Sequence, residues 1–349
     1  MVPNSKRVFY VEPHRSNRFL EVLGARQDVT LDALTHQSDK VEISRVLAGA
    51  HAYQVGASRQ ELVPHLHVTQ SLIEQAPHLL IVSSNGAGFD TVDAKACTKA
   101  GILVVAQTGG NREAVAEHAL GMMLALSKRF VETDRYMRRQ NGISRNAFMG
   151  HDIIGKTIGI VGLGNVGTRT AELCRGLFRM RVLAYDPYLT TAQIAAHGAE
   201  KVELDQLMRE SDFVSVHCPY NEETANMIGA PQYALMKPDA YFITTARGGI
   251  HDEAALVDVL KAKKIAGAGL DVWVDEPPPH DHPLMAFDTV IVTPHTAGVT
   301  HEARVNMGQI AADQMLLALD GGRAPRIQNP EVWSAYVERF RKEFGVTPA

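Results

Sequence analysis

The stretch Thr157-Ile158-Gly159-Ile160-Val161-Gly162-Leu163-Gly164-Asn165-Val166-Gly167 decides how this chain is read. Its first five residues are β-branched or small and carry no charge, as a buried strand requires. Gly162, Gly164 and Gly167 then form a complete G-x-G-x-x-G. A helical run follows, with Ala171, Leu173, Cys174, Leu177 and Phe178 spaced to share one face. A second strand, Val182-Leu183-Ala184-Tyr185, ends at Asp186, nineteen positions after Gly167. A dinucleotide fingerprint asks for an acid about 20 residues on. By itself the glycine pattern describes a turn in any α/β protein. Strand, loop, helix, strand and acid in register point to a dinucleotide site.

The physical roles follow from the residue types. Gly162 permits the tight turn, Gly164 lets a pyrophosphate approach the backbone, and Gly167 lets helix and strand pack closely. The helix start offers unpaired N–H groups, here those of Asn165 and Val166, and a positive dipole end. Asp186 can accept both adenosine ribose hydroxyls. A 2′-phosphate would meet its charge, and Pro187-Tyr188 supply no Arg to offset that, so NAD is expected over NADP.

Composition sets the bounds. With 349 residues and about 150 per domain, two domains are expected. A hydrophobic fraction of 45% and a charged fraction of 21% suit a packed globular protein. The net charge of −4 argues against nucleic acid or an anionic membrane as the main partner. Cys97, Cys174 and Cys218 are scattered, have no metal-ligand spacing, and suggest reduced thiols in a cytoplasmic setting. No metal is expected. No uncharged apolar run reaches the ~18 residues of a membrane span. The apolar Val8-Phe9-Tyr10-Val11 stops at Glu12, too short for a signal peptide.

Before the nucleotide unit, Val8 to Val11, Tyr53 to Val55 and Leu79 to Val82 read as strands, and Ser44 to Leu47 and Leu72 to Gln75 as helical. This βα alternation predicts a parallel sheet. The last strand enters Ser84-Asn85-Gly86-Ala87-Gly88-Phe89-Asp90, with a helix expected from Asp90 or Thr91. Locally this is either a turn with an N-cap or a small-anion site made by the N–H groups of Ala87 and Gly88. Asn111 is a candidate N-cap for a helix apolar over more than one stripe, from Ala114 to Leu126. Such a helix is buried between domains or used in an oligomer. Arg135, Arg138 and Arg139 follow as a solvated face able to meet acidic residues of a partner subunit.

Beyond Asp186, Phe213 to His217, Tyr241 to Thr245, Ile265 to Leu270 and Val290 to Val292 read as strands. Ligands sit beyond the carboxyl ends of open parallel sheets. Asp186, Cys218-Pro219, Ala246-Arg247, Asp271, His295 and Gly298 are therefore expected on one rim around the cofactor. Arg247, Glu276 and His295 each have a plain explanation singly: a surface charge, a solvated loop acid, one of fifteen histidines. Together they supply what hydride transfer from a hydroxy acid needs. Arg247 offers a fork for a carboxylate, His295 a proton relay, and Glu276 a partner that orients the imidazole and favours its charged form.

With these stretches the chain resembles the D-isomer-specific 2-hydroxyacid dehydrogenase family, from about Leu79 to Pro330. Gly86 to Asp93, Val115-Ala116-Glu117-His118, Gly155 to Gly167, Ala184 to Pro187, Ala246-Arg247-Gly248, Gly269 to Val272, Glu276-Pro277 and Thr293-Pro294-His295 carry the likeness. The resemblance implies two Rossmann-like doubly wound α/β domains. An NAD-binding domain, 110–298, would be inserted into a substrate-binding domain, 1–109 with 299–349. It implies a homodimer through the nucleotide domain and a small 2-keto or 2-hydroxy acid substrate. Arg247 would bind the substrate carboxylate with Ala87 and Gly88, His295 would be the acid/base supported by Glu276, and Asp271 would lie near the nicotinamide carboxamide. Two alternatives remain: an NADH-sensing binding protein of the C-terminal-binding-protein type, and a phosphite- or formate-type dehydrogenase. Glu276 beside Pro277 disfavours the formate branch.

Departures are Ala114 where the family commonly has Ser, and Tyr220 where Leu is common. The segment from Gly56 to Gln70 looks longer than usual, and Arg59 within it reads as an exposed loop residue or a contact for a second anion. The chain ends soon after Asn329-Pro330, so the regulatory domain of some phosphoglycerate dehydrogenases is expected to be absent. Val332, Trp333, Tyr336, Val337 and Phe340 have helical spacing and should pack on a domain or a second subunit.

Overall fold

The computed structural model describes residues 5–14, 16–59, 62–142 and 144–348. The chain forms two compact units, Met1–Asn111 with Thr300–Ala349, and Arg112–Val299. Of the segment from Gly56 to Gln70, Gln60 and Glu61 lie outside the described residues.

Unit 1 carries strands β1 (Lys6–Glu12), β2 (Val29–Thr35), β3 (Ala52–Val55), β4 (Ile81–Ser84) and β5 (Leu103–Val105). They form one parallel sheet in the order β2-β1-β3-β4-β5, a doubly wound arrangement. Side chains alternate between two cores, because successive residues of a strand point to opposite faces. Phe9, Tyr53, Val82 and Val104 meet the helices Lys40–Leu47, Gln70–Gln75 and Ala94–Ala100 on one face. Val8, Ala52, Ile81 and Leu103 meet the helices Asn17–Gly24, His301–Leu319 and Trp333–Phe344 on the other. The final helix therefore packs on its own unit, through buried Tyr336 and Phe340. Strands β2 and β5 were not expected from the sequence. β2 is an edge strand with mixed burial, and β5 has only three residues.

Unit 2 carries β6 (Thr157–Val161), β7 (Arg181–Tyr185), β8 (Glu200–Lys201), β9 (Phe213–Val216), β10 (Tyr241–Thr244), β11 (Gly267–Leu270) and β12 (Val290–Val292). All pair in parallel, in the order β12-β11-β10-β9-β6-β7-β8. The order reverses between β6 and β9, the switch point where such sheets bind ligands. Ile158, Ile160, Val182, Ala184 and Ile243 face the helices Arg112–Ser127 and Asn165–Phe178. Val161, Leu183, Val214, Val216 and Phe242 face the opposite core with the helix Glu253–Lys261.

Two local expectations need correction. In the helix Asn165–Phe178 the buried face is Gly167, Thr170, Ala171 and Cys174, while Leu177 is 62% exposed. The helix turns Leu177 past the edge of that stripe. In unit 1 the helix after β4 begins at Ala94, not at Asp90 or Thr91. Val92 is held in a parallel bridge with Val68, and the Asp93 carboxylate caps the helix by accepting from Ala96 N at 2.9 Å.

Candidate active site of the second unit

Because all seven strands of unit 2 run in parallel, one edge of the sheet receives every strand end. The turn Gly162–Gly167 follows β6, Asp186 follows β7, and Cys218-Pro219 lie just past β9. Ala246-Arg247 lie past β10, Asp271 follows β11, and His295 to Gly298 lie past β12.

The glycine turn is built as its composition requires. Gly162 has φ +90°, and a Cβ there would sit 2.7 Å from Cys218 N. A Cβ at Gly167 would lie 2.1 Å from the Gly162 carbonyl oxygen, so only glycine lets the helix start this close to β6. At Gly164 a Cβ would meet nothing within 4 Å, leaving the backbone open to a ligand. Gly164 is the N-cap and offers no side-chain cap, so the first N–H groups of the helix have no acceptor within it. A depression of about 340 Å³ lies over this end, lined by Leu163, Gly164, Asn165 and Thr168, with Arg112 and Arg169 beside them. Asp186 accepts from Leu163 N and Tyr188 N, both at 3.0 Å, one on each oxygen. A carboxylate has roughly four acceptor positions, so capacity remains for ribose hydroxyls. Burial, the largest cause, pushes the Cys218 thiol up to about 11, which keeps it protonated beside the turn.

The acid/base pair is joined directly. His295 Nδ1 and Glu276 Oε2 are 2.8 Å apart. The other carboxylate oxygen, Oε1, accepts from Trp273 N at 3.1 Å. Burial raises the Glu276 carboxyl, but the hydrogen bond and charge of His295, the Trp273 N–H and the charge of Arg247 outweigh it and hold the group below its ordinary 4.5. Arg247 Nη1 donates to the Ala246 carbonyl at 2.7 Å, so one terminal nitrogen of its fork is held by the backbone. His295 sits at φ +55°, a left-handed conformation that costs a non-glycine residue free energy unless the surroundings enforce it.

Asp271 enforces it. Its carbonyl accepts from His295 N at 2.7 Å. Its carboxylate accepts from Thr293 Oγ1 at 2.5 Å, Thr296 N at 2.8 Å and Ala297 N at 2.9 Å. The residue has no exposed surface. Its work is to shape the loop that carries His295. His118 joins the same network, with Nε2 3.2 Å from Thr293 Oγ1. Sequence reasoning gave Thr293, part of the Thr293-Pro294-His295 stretch, no role of its own, and Trp273, just after Gly269 to Val272, carries no local signal of one.

In unit 1, the N–H groups of Ala87 and Gly88 have no protein acceptor among the described residues. Ser84 Oγ donates to the Gly88 carbonyl and closes the turn. Arg59 is exposed, and its Nε donates to the Asp90 carbonyl at 2.9 Å, which ties it to the same loop. Among the described residues, no group of three or more His, Cys, Asp or Glu could hold a metal ion, and no helix is long and apolar enough to cross a membrane.

Comparison with known proteins agrees with this geometry. Residues 120–297, half of the chain, match the model of the D-isomer specific 2-hydroxyacid dehydrogenase, NAD binding domain. The chain is 39% identical over 275 residues to a D-3-phosphoglycerate dehydrogenase of Archaeoglobus fulgidus, covering 75% of this chain and 52% of that protein. It is 39% identical over 268 residues to a glyoxylate reductase of Korarchaeum cryptofilum, covering 76% of this chain and 80% of that one. The D-lactate dehydrogenase of Aquifex aeolicus, solved with NAD and lactic acid, superposes with a TM-score of 0.78 at 27% identity, covering 92% of this chain and 99% of that one. The chain thus belongs to the D-isomer specific 2-hydroxyacid dehydrogenase family. Its cofactor is a nicotinamide dinucleotide, and the open glycine turn and Asp186 of unit 2 fit one. The chain spans about half the length of the phosphoglycerate dehydrogenases it matches.

Proposed function

We propose that the chain is an NAD-dependent oxidoreductase that interconverts a small 2-keto acid and the D-2-hydroxy acid. The observation that carries this reading is the His295–Glu276 pair at 2.8 Å, on the rim that also bears the glycine turn. With Nδ1 turned to the carboxylate, Nε2 is the nitrogen left to face a substrate oxygen. In reduction, imidazolium Nε2 gives its proton to the C2 carbonyl oxygen, and ionised Glu276 holds the ring throughout. In oxidation, neutral Nε2 takes the hydroxyl proton. The nicotinamide, when bound, supplies or accepts the hydride at C2. Arg247 presents its fork to the substrate carboxylate and stabilises charge on the neighbouring oxygen. The unpartnered N–H groups of Ala87 and Gly88 are proposed to receive an anionic group of the substrate. Gly162, Gly164, Asn165, Val166 and Gly167 would hold the pyrophosphate, with Asp186 on the ribose, favouring NAD over NADP.

A homodimer through unit 2 is part of the reading. Phe130, Met137 and Met149 are more than half exposed there, while Arg135 and Arg138 are already paired with Asp288 and Asp134 of their own chain. The three cysteines are unpaired, which fits a cytoplasmic setting.

A panel of glyoxylate, hydroxypyruvate and pyruvate, with phosphite and formate run in the oxidative direction, tests the assignment by NADH absorbance. Turnover of at least one keto acid is expected. Tight NADH binding with no turnover would favour a binding protein, and oxidation of phosphite alone would move the reaction class.

A further inference from the structure

The three proposed site residues sit on three separate loops, past β10, β11 and β12. One residue of the β11 loop, Trp273, ties it to the other two. Trp273 N donates to Glu276 Oε1 at 3.1 Å, and its indole Nε1 donates to the Thr293 carbonyl at 3.1 Å, two residues before His295. Gly248, next to Arg247, lies so close that a Cβ there would fall 1.8 Å from the Trp273 carbonyl oxygen. Trp273 is only 3% exposed. Its ring stands edge-on to His282, centroids 5.2 Å apart at 73°, and His282 Nε2 is 3.2 Å from Glu253 Oε2. Glu253 Oε1 in turn accepts from Val274 N at 2.9 Å, so the helix Glu253–Lys261 clamps the segment on its far side.

We infer that Trp273 is a positioning residue that locks the Arg247, Glu276 and His295 loops into one register, through its backbone N–H, its indole N–H and its contact with Gly248. The inference rests on the acid/base reading of the His295–Glu276 pair. The indole bond is the separable part. Phenylalanine at 273 would keep the backbone bond and most of the packing, yet leave the Thr293 carbonyl without its buried donor. The loop carrying His295, already in a left-handed turn, would then hold the ring less firmly against Glu276.

The test compares the parent with Trp273→Phe, and with Trp273 replaced by 3-benzothienylalanine, which keeps the bicyclic shape and lacks the N–H. Each is followed by melting, NADH binding, and kcat and KM across pH with the keto acid reduced best. Loss of one buried hydrogen bond should lower kcat about tenfold. The KM for keto acid and the NADH affinity should change less. The alkaline limb of kcat/KM for reduction should move to lower pH, because the Glu276 hydrogen bond that favours the protonated ring is held less firmly. Should the Phe variant fail to fold, the benzothienyl variant gives the same readouts with volume conserved. A folded variant with the parent's kcat and pH profile would overturn the inference, and so would a lower melting temperature with an unmoved pH profile. His295→Gln, run alongside, separates the two levels. If it abolishes turnover while the Trp273 variants match the parent, only the inference falls. Full activity in His295→Gln removes the acid/base reading and the inference with it.

Discussion

Two glycine-bearing turns follow central strands in this molecule, and they do different work. After β6, Gly162 takes φ +90° and the helix Asn165–Phe178 begins three residues later. After β4, Gly86 to Gly88 hold no left-handed glycine, and nine residues separate Ser84 from the short helix at Ala94. The first turn presents a helix end and its dipole. The second presents two backbone N–H groups without a helix behind them. A glycine cluster between strand and helix therefore does not by itself specify an anion site of one kind. The distance to the helix cap decides which kind it is.

The comparison can be broken most forcefully in unit 2. Gly162→Ala forces a non-glycine residue to φ +90° with its Cβ against Cys218. Strain of about 2–3 kcal/mol should weaken NADH binding roughly a hundredfold. Fluorescence titration with NADH measures it, and near-parent affinity would mean the turn is not the cofactor cradle. In unit 1, Gly88→Pro removes one N–H and should raise the KM for keto acid about tenfold, with NADH affinity kept. A loss of NADH affinity instead would erase the distinction between the turns. Asp186→Ala should have the smallest effect. It removes the charge that repels a 2′-phosphate and also the acceptor that steadies Leu163 N. NADH KM should rise several-fold, and the NADH/NADPH preference should fall about tenfold in steady-state assays.

Much of unit 2 was legible because its signals are local. Gly162, Gly164, Gly167 and Asp186 are tied by fixed offsets, and uniform βα alternation sends Arg247 and His295 to the same sheet edge. The parallel sheets followed from the same alternation, while the doubly wound, two-domain arrangement was what the family resemblance implied. What stayed hidden was cooperative. Nothing near Asp271 in sequence shows that it will be enclosed by Thr293, Thr296 and Ala297, more than 20 positions away. Trp273 looks like one more apolar residue until its indole finds the Thr293 carbonyl. The helix start at Ala94 was misread because the Val68–Val92 bridge, a tertiary contact, holds the chain extended past Asp90. In β2, a strand with only one buried residue, the apolar pattern was too weak to announce pairing with β1.

The central claim is that His295, held by Glu276, moves the substrate proton. Single-turnover reduction of a keto acid by His295→Gln, followed in stopped flow by NADH absorbance, tests it most directly. The chemical step should slow by about two to four orders of magnitude while NADH affinity stays within a few-fold of the parent. A variant that turns over at the parent's rate would contradict it.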